Sequence, residues 1–268
     1  MIPGLLNVIW VVRSIELRIK NWDSILMTTT TTITDTALTV RGLDVYYGES
    51  LILRDIDMDI PRGAIVAVMG RNGVGKTTLI KTIMGLLRPR RGNILLNGED
   101  ITGQAPDLRA RAGLSYVPQG REIFPRLTVN ENLQIGLEAR TDGLATLPED
   151  LIYDLFPVLA DMQDRMGGNL SGGQQQQLAI ARALVGDPDI LILDEPTEGI
   201  QPSIILDIEN VLIHLKDKGN LTIILVEQYF DFARQIADYF YLMDRGTIAL
   251  CGSADELSDE SIKQYLTF

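Results

Sequence analysis

Two short runs, Ile65–Met69 and Ile190–Leu193, are apolar throughout and of strand length, the pattern of strands buried on both faces of a parallel sheet, and Leu221–Val226, apolar but for Thr222, resembles them. A different pattern precedes them. Ile56, Met58 and Ile60 alternate with Asp55, Asp57 and Asp59, which predicts a strand with one wet face and so an antiparallel sheet near the N-terminal end. Ile94–Leu96 runs into Asn97-Gly98, and Tyr239–Met243 is joined to Thr247–Leu250 through Asp244-Arg245-Gly246; both read as hairpins. Thr77–Met84 has helical character, and Thr128-Val129-Asn130-Glu131 is a capping box that opens another helix. Leu151, Leu155 and Leu159 form a helical stripe interrupted by Pro157, and a helix through Leu178, Ala181 and Val185 ends at Gly186 and Pro188. The prediction is an α/β chain: a mixed sheet core, an antiparallel β subdomain, and an inserted helical subdomain over about 120–186, with no internal repeat.

The loop after the first apolar run carries the first chemistry. Gly70-Arg71-Asn72-Gly73-Val74-Gly75-Lys76-Thr77 fits G-x-x-x-x-G-K-[ST] in the required setting, between a buried strand and a helix. The glycines let the backbone turn around phosphates with its N–H groups inward, at a positive helix N-terminus. Lys76 is placed to bridge terminal phosphates, Thr77 to put its hydroxyl on a magnesium ion, and Thr78 to donate to a phosphate oxygen. Asp194 and Glu195 follow the second apolar run, at the strand end where open parallel sheets bind ligands. Adjacent carboxylates there can divide the labour: Asp194 on magnesium, Glu195 polarising a water that attacks the terminal phosphate.

With Leu170-Ser171-Gly172-Gly173-Gln174 between these two sites, the chain resembles the ATP-binding subunit of an ABC transporter over about residues 36–268. The resemblance implies an ABC-type P-loop ATPase fold. It also implies ATP and Mg2+ as ligands, and a head-to-tail pair of cassettes in which Ser171, Gly172, Gly173 and Gln174 of one chain meet ATP held by the other. Ser171 suits an N-cap and the two glycines suit close backbone approach to an anion. Tyr47 matches the aromatic that stacks on adenine, with Tyr46 beside it. Gln119 matches the glutamine that reaches magnesium and water and moves with the membrane partner. Phe124 and Leu127 then either contact that partner or pack internally.

Composition narrows the partners. A chain of 268 residues, 46% hydrophobic and 22% charged, is long enough for one sizeable core, and its net charge of -12 argues against nucleic acid. A single cysteine, Cys251, excludes an internal disulfide. Nothing after residue 36 is apolar for the roughly 20 residues a bilayer span needs, so any pore belongs to other chains. In residues 1–35 the apolar stretch Leu5–Val12 is followed, not preceded, by basic residues, which does not fit a signal peptide. With the threonine run Thr28–Thr32 after Met27, this segment reads as an extension outside the native start at Met27, as a disordered leader, or as a membrane-surface helix.

Two positions depart from the family pattern. The switch histidine is replaced by Gln228 within Val226-Glu227-Gln228, the only histidine, His214, lies elsewhere on a predicted helix, and Glu198-Gly199-Ile200-Gln201 ends in glutamine instead of aspartate. Gln228 can still donate a hydrogen bond to a terminal phosphate but cannot become cationic. A glutamine at the switch resembles one of the two different ATPase subunits of the branched-chain amino acid importer family. That implies a second, non-identical ATPase subunit, two transmembrane permease subunits and, indirectly, an extracytoplasmic solute-binding protein, with this chain peripheral on the cytoplasmic face of the inner membrane. Tyr116–Pro125, Ser171–Gln177 and Asp194–Ser203 are similar to the urea-type subunit, so urea is the expected solute and branched-chain amino acids the alternative. A soluble ABC ATPase and an ATP sensor without turnover are further alternatives; the single cassette speaks against the first and the Asp194-Glu195 pair against the second.

Overall fold

The apolar runs become the centre of a six-stranded sheet. The computed structural model describes residues 35–144, 146–219 and 221–266, so the expectations for the leader lie outside the described residues apart from Asp35. Strands β3 (Ile65–Met69), β7 (Ile190–Asp194) and β8 (Thr222–Glu227) are buried at every residue. With β6 (Leu114–Val117), β9 (Tyr239–Asp244) and β10 (Thr247–Ser253) they form a sheet of order β10-β9-β3-β8-β7-β6, parallel except for the antiparallel β9–β10 hairpin.

Period-two alternation divides these strands between two cores. Ile65, Ala67 and Met69, with Leu191, Leu193, Ile223 and Leu225, face one side; Val66 and Val68, with Ile190, Ile192, Ile224 and Val226, face the other. Helices α6 (Gly172–Val185), α7 (Pro202–Asp217) and α8 (Phe230–Ile236) pack on the first face. On the second face α1 (Lys76–Ile83) contributes Leu79, Ile80 and Ile83 to a core shared with a four-stranded antiparallel sheet. That sheet has the order β2-β1-β4-β5, from β1 (Thr36–Tyr47), β2 (Ser50–Pro61), β4 (Arg91–Leu96) and β5 (Glu99–Asp100). Both predicted hairpins are present, and on β2 Ile56, Met58 and Ile60 are buried between less buried aspartates. The Tyr241 hydroxyl ties the two sheets by accepting from Asp59 N and donating to Asp59 O, both at 2.8 Å.

A short helix α2 (Pro106–Arg111) precedes β6. Between β6 and β7 the chain inserts α3 (Val129–Gly136), α4 (Glu149–Leu155), α5 (Pro157–Ala160) and then α6. Thr128 and Glu131 close the predicted capping box on α3, Pro157 separates α4 from α5, and Gly186 stands at the C-cap of α6.

No motif or periodicity marks the part played by Arg109. Its guanidinium is 1% exposed and donates to Thr82 O and Ile83 O at the end of α1, and to Thr102 O and Gln104 O. Carbonyls at a helix C-terminus lack intrahelical donors and carry partial negative charge, so a buried cation is well placed there. Arg109→Met keeps the stem but removes the guanidinium bonds to these carbonyls, of which Thr82 O still accepts from Gly85 N. The expected cost is about 3 kcal/mol, a fall of roughly 6–12 °C in Tm by thermal denaturation.

Candidate active site

Because β3, β6, β7 and β8 are parallel, the loops leaving their C-terminal ends share one edge of the sheet. Those loops carry Gly70–Thr78, Gln119, Asp194-Glu195 and Gln228, so the fold brings these separated predictions together.

The loop after β3 is shaped by close packing. Gly70 has φ +153°, and a Cβ there would stand 2.5 Å from Met243 O. Val74 O accepts from Gly246 N at 3.0 Å, tying the loop to the β9–β10 turn. Gly75, at φ 111°, is the N-cap of α1 and offers no side-chain cap, which leaves the first helical N–H groups available to an anion. Lys76 is 5% exposed; its Nζ donates to Gly70 O at 2.8 Å and Arg71 O at 3.2 Å and lies 3.5 Å from Glu195 Oε1. Thr77 and Thr78 occupy the first turn of α1, while Asn72 and Gly73 are exposed at the tip of the loop.

Asp194 and Glu195 are both buried. Asp194 Oδ2 accepts from the Tyr116 hydroxyl at 3.2 Å, and Oδ1 is buried with no hydrogen-bond partner among the described residues. Burial raises the Asp194 carboxyl above its usual range, with the Tyr116 and Thr77 hydroxyls and Lys76 opposing the rise. The same burial, together with Asp194, raises the Tyr116 phenol, which therefore stays a donor. Glu195 has φ 51°, a left-handed conformation that costs a non-glycine residue about 1–3 kcal/mol and persists where its surroundings hold it. Glu195 N donates to Val226 O at 2.8 Å, and its Oε2 accepts from Gln119 Nε2 at 3.2 Å.

Gln119 also donates to Glu198 Oε2 at 2.9 Å. Arg121, in the same loop, belongs to no motif that would mark it in the sequence. Its guanidinium reaches Gln176 Oε1 on α6 at 3.3 Å and Glu198 O at 3.4 Å, so the loop after β6 is bonded to the loop after Glu195 and to α6. Arg182 sits 5.4 Å from the exposed Phe124 ring and donates to Glu122 O at 3.0 Å; Leu127 is half-buried. Of the two tyrosines at the end of β1, Tyr46 lies under Arg90 at 4.2 Å while Tyr47 is 48% exposed. The second is the more exposed of the two.

Ser171 caps α6 and forms a capping box with Gln174. Gly172 approaches the Arg121 guanidinium and Gly173 the Ile204 side chain, where a Cβ would stand 2.9 Å away. This segment makes its close contacts with α7 and the Arg121 loop, and Ser171 itself is exposed. Gln228 is exposed as well, and Gln201 is the N-cap of α7. His214 lies on α7 as predicted.

Residues 53–198, more than half of the chain, match the family model described as ABC transporter. The chain belongs to the ABC transporter ATP-binding family. It is 41% identical over 215 residues to a probable branched-chain amino acid transport ATP-binding protein LivF of Archaeoglobus fulgidus, spanning 80% of this chain and 91% of that one. It is 37% identical over 213 residues to the high-affinity branched-chain amino acid transport ATP-binding protein BraG of Pseudomonas aeruginosa, with the same coverage of 80% and 91%. A solved nucleotide-free ATP-binding cassette from an ABC transporter superposes with a TM-score of 0.74 at 29% identity, covering 86% of this chain and 95% of that one. A cassette solved in its ADP conformation gives the same TM-score of 0.74 and identity of 29%, covering 87% and 95%. This ABC ATPase therefore binds ATP and couples its hydrolysis to transport, together with permease components in the membrane. Among the described residues no helix is long and apolar enough to cross a membrane.

Proposed function

We propose that this ABC ATPase powers an importer of the branched-chain amino acid family. The observation that carries the reading is its similarity, at 41% and 37% identity, to ATP-binding proteins named for branched-chain amino acid transport. Residues 36–268 then form the cassette, with about 120–186 as its helical arm. A second ATPase subunit would complete two ATP sites, since Ser171 is exposed for a partner, and Gln228 in place of a histidine favours a non-identical one. Two permease subunits would hold the chain at the cytoplasmic face of the inner membrane, and a solute-binding protein would act through them. Urea is the second reading, favoured by the segments around Gln119, Ser171 and Glu198.

In the mechanism, Lys76, Thr78 and the backbone of Gly70–Gly75 bind the ATP phosphates and Tyr47 stacks on the base. Thr77, Gln119 and Asp194 would hold Mg2+, for which the unpartnered Oδ1 of Asp194 and an all-oxygen donor set are suited. When bound, the ion neutralises charge that develops on the transferring phosphoryl group. Glu195 accepts the proton of the attacking water, and Gln228 donates a hydrogen bond toward the terminal phosphate. Among the described residues no cluster of three or more His, Cys, Asp or Glu could hold a metal, so phosphate and water would complete the coordination.

Uptake of labelled leucine and labelled urea by cells lacking the chain tests the assignment. Complementation with the wild type, but not with Lys76→Ala, is expected to restore leucine uptake. Recovery of urea uptake alone would select the second reading, and recovery of neither would remove both.

A further inference from the structure

Glu227, the neighbour of Gln228, is the last residue of β8 and 1% exposed. Its two carboxylate oxygens are used by different loops. Oε1 accepts from Thr197 N at 3.1 Å and Thr197 Oγ1 at 2.7 Å, in the turn that begins with Asp194-Glu195. Oε2 accepts from Gln228 N at 3.0 Å and Tyr229 N at 3.1 Å, in the turn after β8. No cation is among these partners. Taking a carboxylate out of water is costly, and hydrogen bonds to an ionised acceptor are the strong ones that can offset the cost. An apolar side chain would fill the end of a buried strand at no such cost.

The Glu227 bonds fall where local geometry is least self-sufficient. Glu195 is in a left-handed conformation, and its turn is held to β8 by Glu195 N on Val226 O and by Thr197 on Glu227. Gln228 has an exposed side chain, so its place depends on the backbone that Glu227 grips. We propose that Glu227 is a positioning residue for ATP hydrolysis, a buried clamp that binds the loop after Glu195 and the loop carrying Gln228 to the two oxygens of one carboxyl group so that they move as a unit. This rests on the reading in which Glu195 and Gln228 face the terminal phosphate.

The test uses the transporter purified from its native membranes through a tag on this chain. Glu227→Gln keeps the shape but has one acceptor oxygen, so in either orientation its NH2 group faces a backbone N–H. ATPase kcat is expected to fall about 10- to 100-fold, while KM and affinity for a fluorescent ATP analogue stay within about threefold. Thr197→Ser retains both donors and is expected to keep kcat within about twofold, whereas Thr197→Val lowers it roughly 3- to 10-fold. A Glu227→Gln enzyme with normal kcat would overturn the clamp, as would parallel losses of kcat, affinity and Tm, the signature of a merely structural role. Should Glu227→Gln fail to assemble, the Thr197 pair decides, and equal kcat for its serine and valine variants overturns the proposal. Glu195→Gln in the same series separates the levels. Normal turnover there removes the site reading and the clamp with it; slow turnover there beside normal turnover in Glu227→Gln removes the clamp alone.

Discussion

Replacing Glu195 by glutamine is expected to slow ATP hydrolysis about 100- to 1000-fold while ATP still binds. The carboxylate sits at the edge of the sheet where the phosphate loop ends, 3.5 Å from Lys76 Nζ and within reach of Gln119. A glutamine has nearly the same volume and can keep a contact with Gln119 through its carbonyl, but it cannot take a proton from water. Groups that bind substrate and transition state equally are preserved by this change, so the loss should appear in kcat and not in nucleotide affinity. Single-turnover hydrolysis beside equilibrium binding of ATP reads the two quantities separately. Unchanged turnover would remove Glu195 from its role.

Lys76→Ala is expected to act one step earlier, weakening ATP binding by about 2–4 kcal/mol, roughly 30- to 1000-fold, and leaving no measurable hydrolysis. The ammonium is almost completely enclosed and is held at the mouth of the loop by Gly70 O and Arg71 O. Charge-assisted bonds to phosphate oxygens in so enclosed a place are much less screened than on the surface. Titration with ATP, compared with Glu195→Gln, should show the affinity lost in one variant and kept in the other.

How much could be read without coordinates differs from residue to residue. The phosphate loop was legible because its spacing, its preceding apolar run and its following helix are local in sequence. The capping box at Thr128 and the N-cap at Ser171 were legible for the same reason, since each is a bond between residues three apart. Arg109 was not. Its partners at Thr82, Ile83, Thr102 and Gln104 come from other elements, and a basic residue on a short helix ordinarily implies a solvated one. Arg121 likewise joins Gln176 and Glu198 from far along the chain.

What the amino-acid order determined by itself was the set of buried strands, the hairpins, the phosphate loop, and the acidic pair at a strand end. Each follows from periodicity or from backbone freedom within a few residues. Tertiary structure alone decided which strand ends share an edge, and so which loops meet. It also decided which of two adjacent tyrosines is the more exposed, and that Glu227 spans two loops while Asp194 keeps one oxygen without a partner among the described residues. These are outcomes of non-local packing, where a polar group's partners lie tens of residues away and no spacing rule along the chain records them.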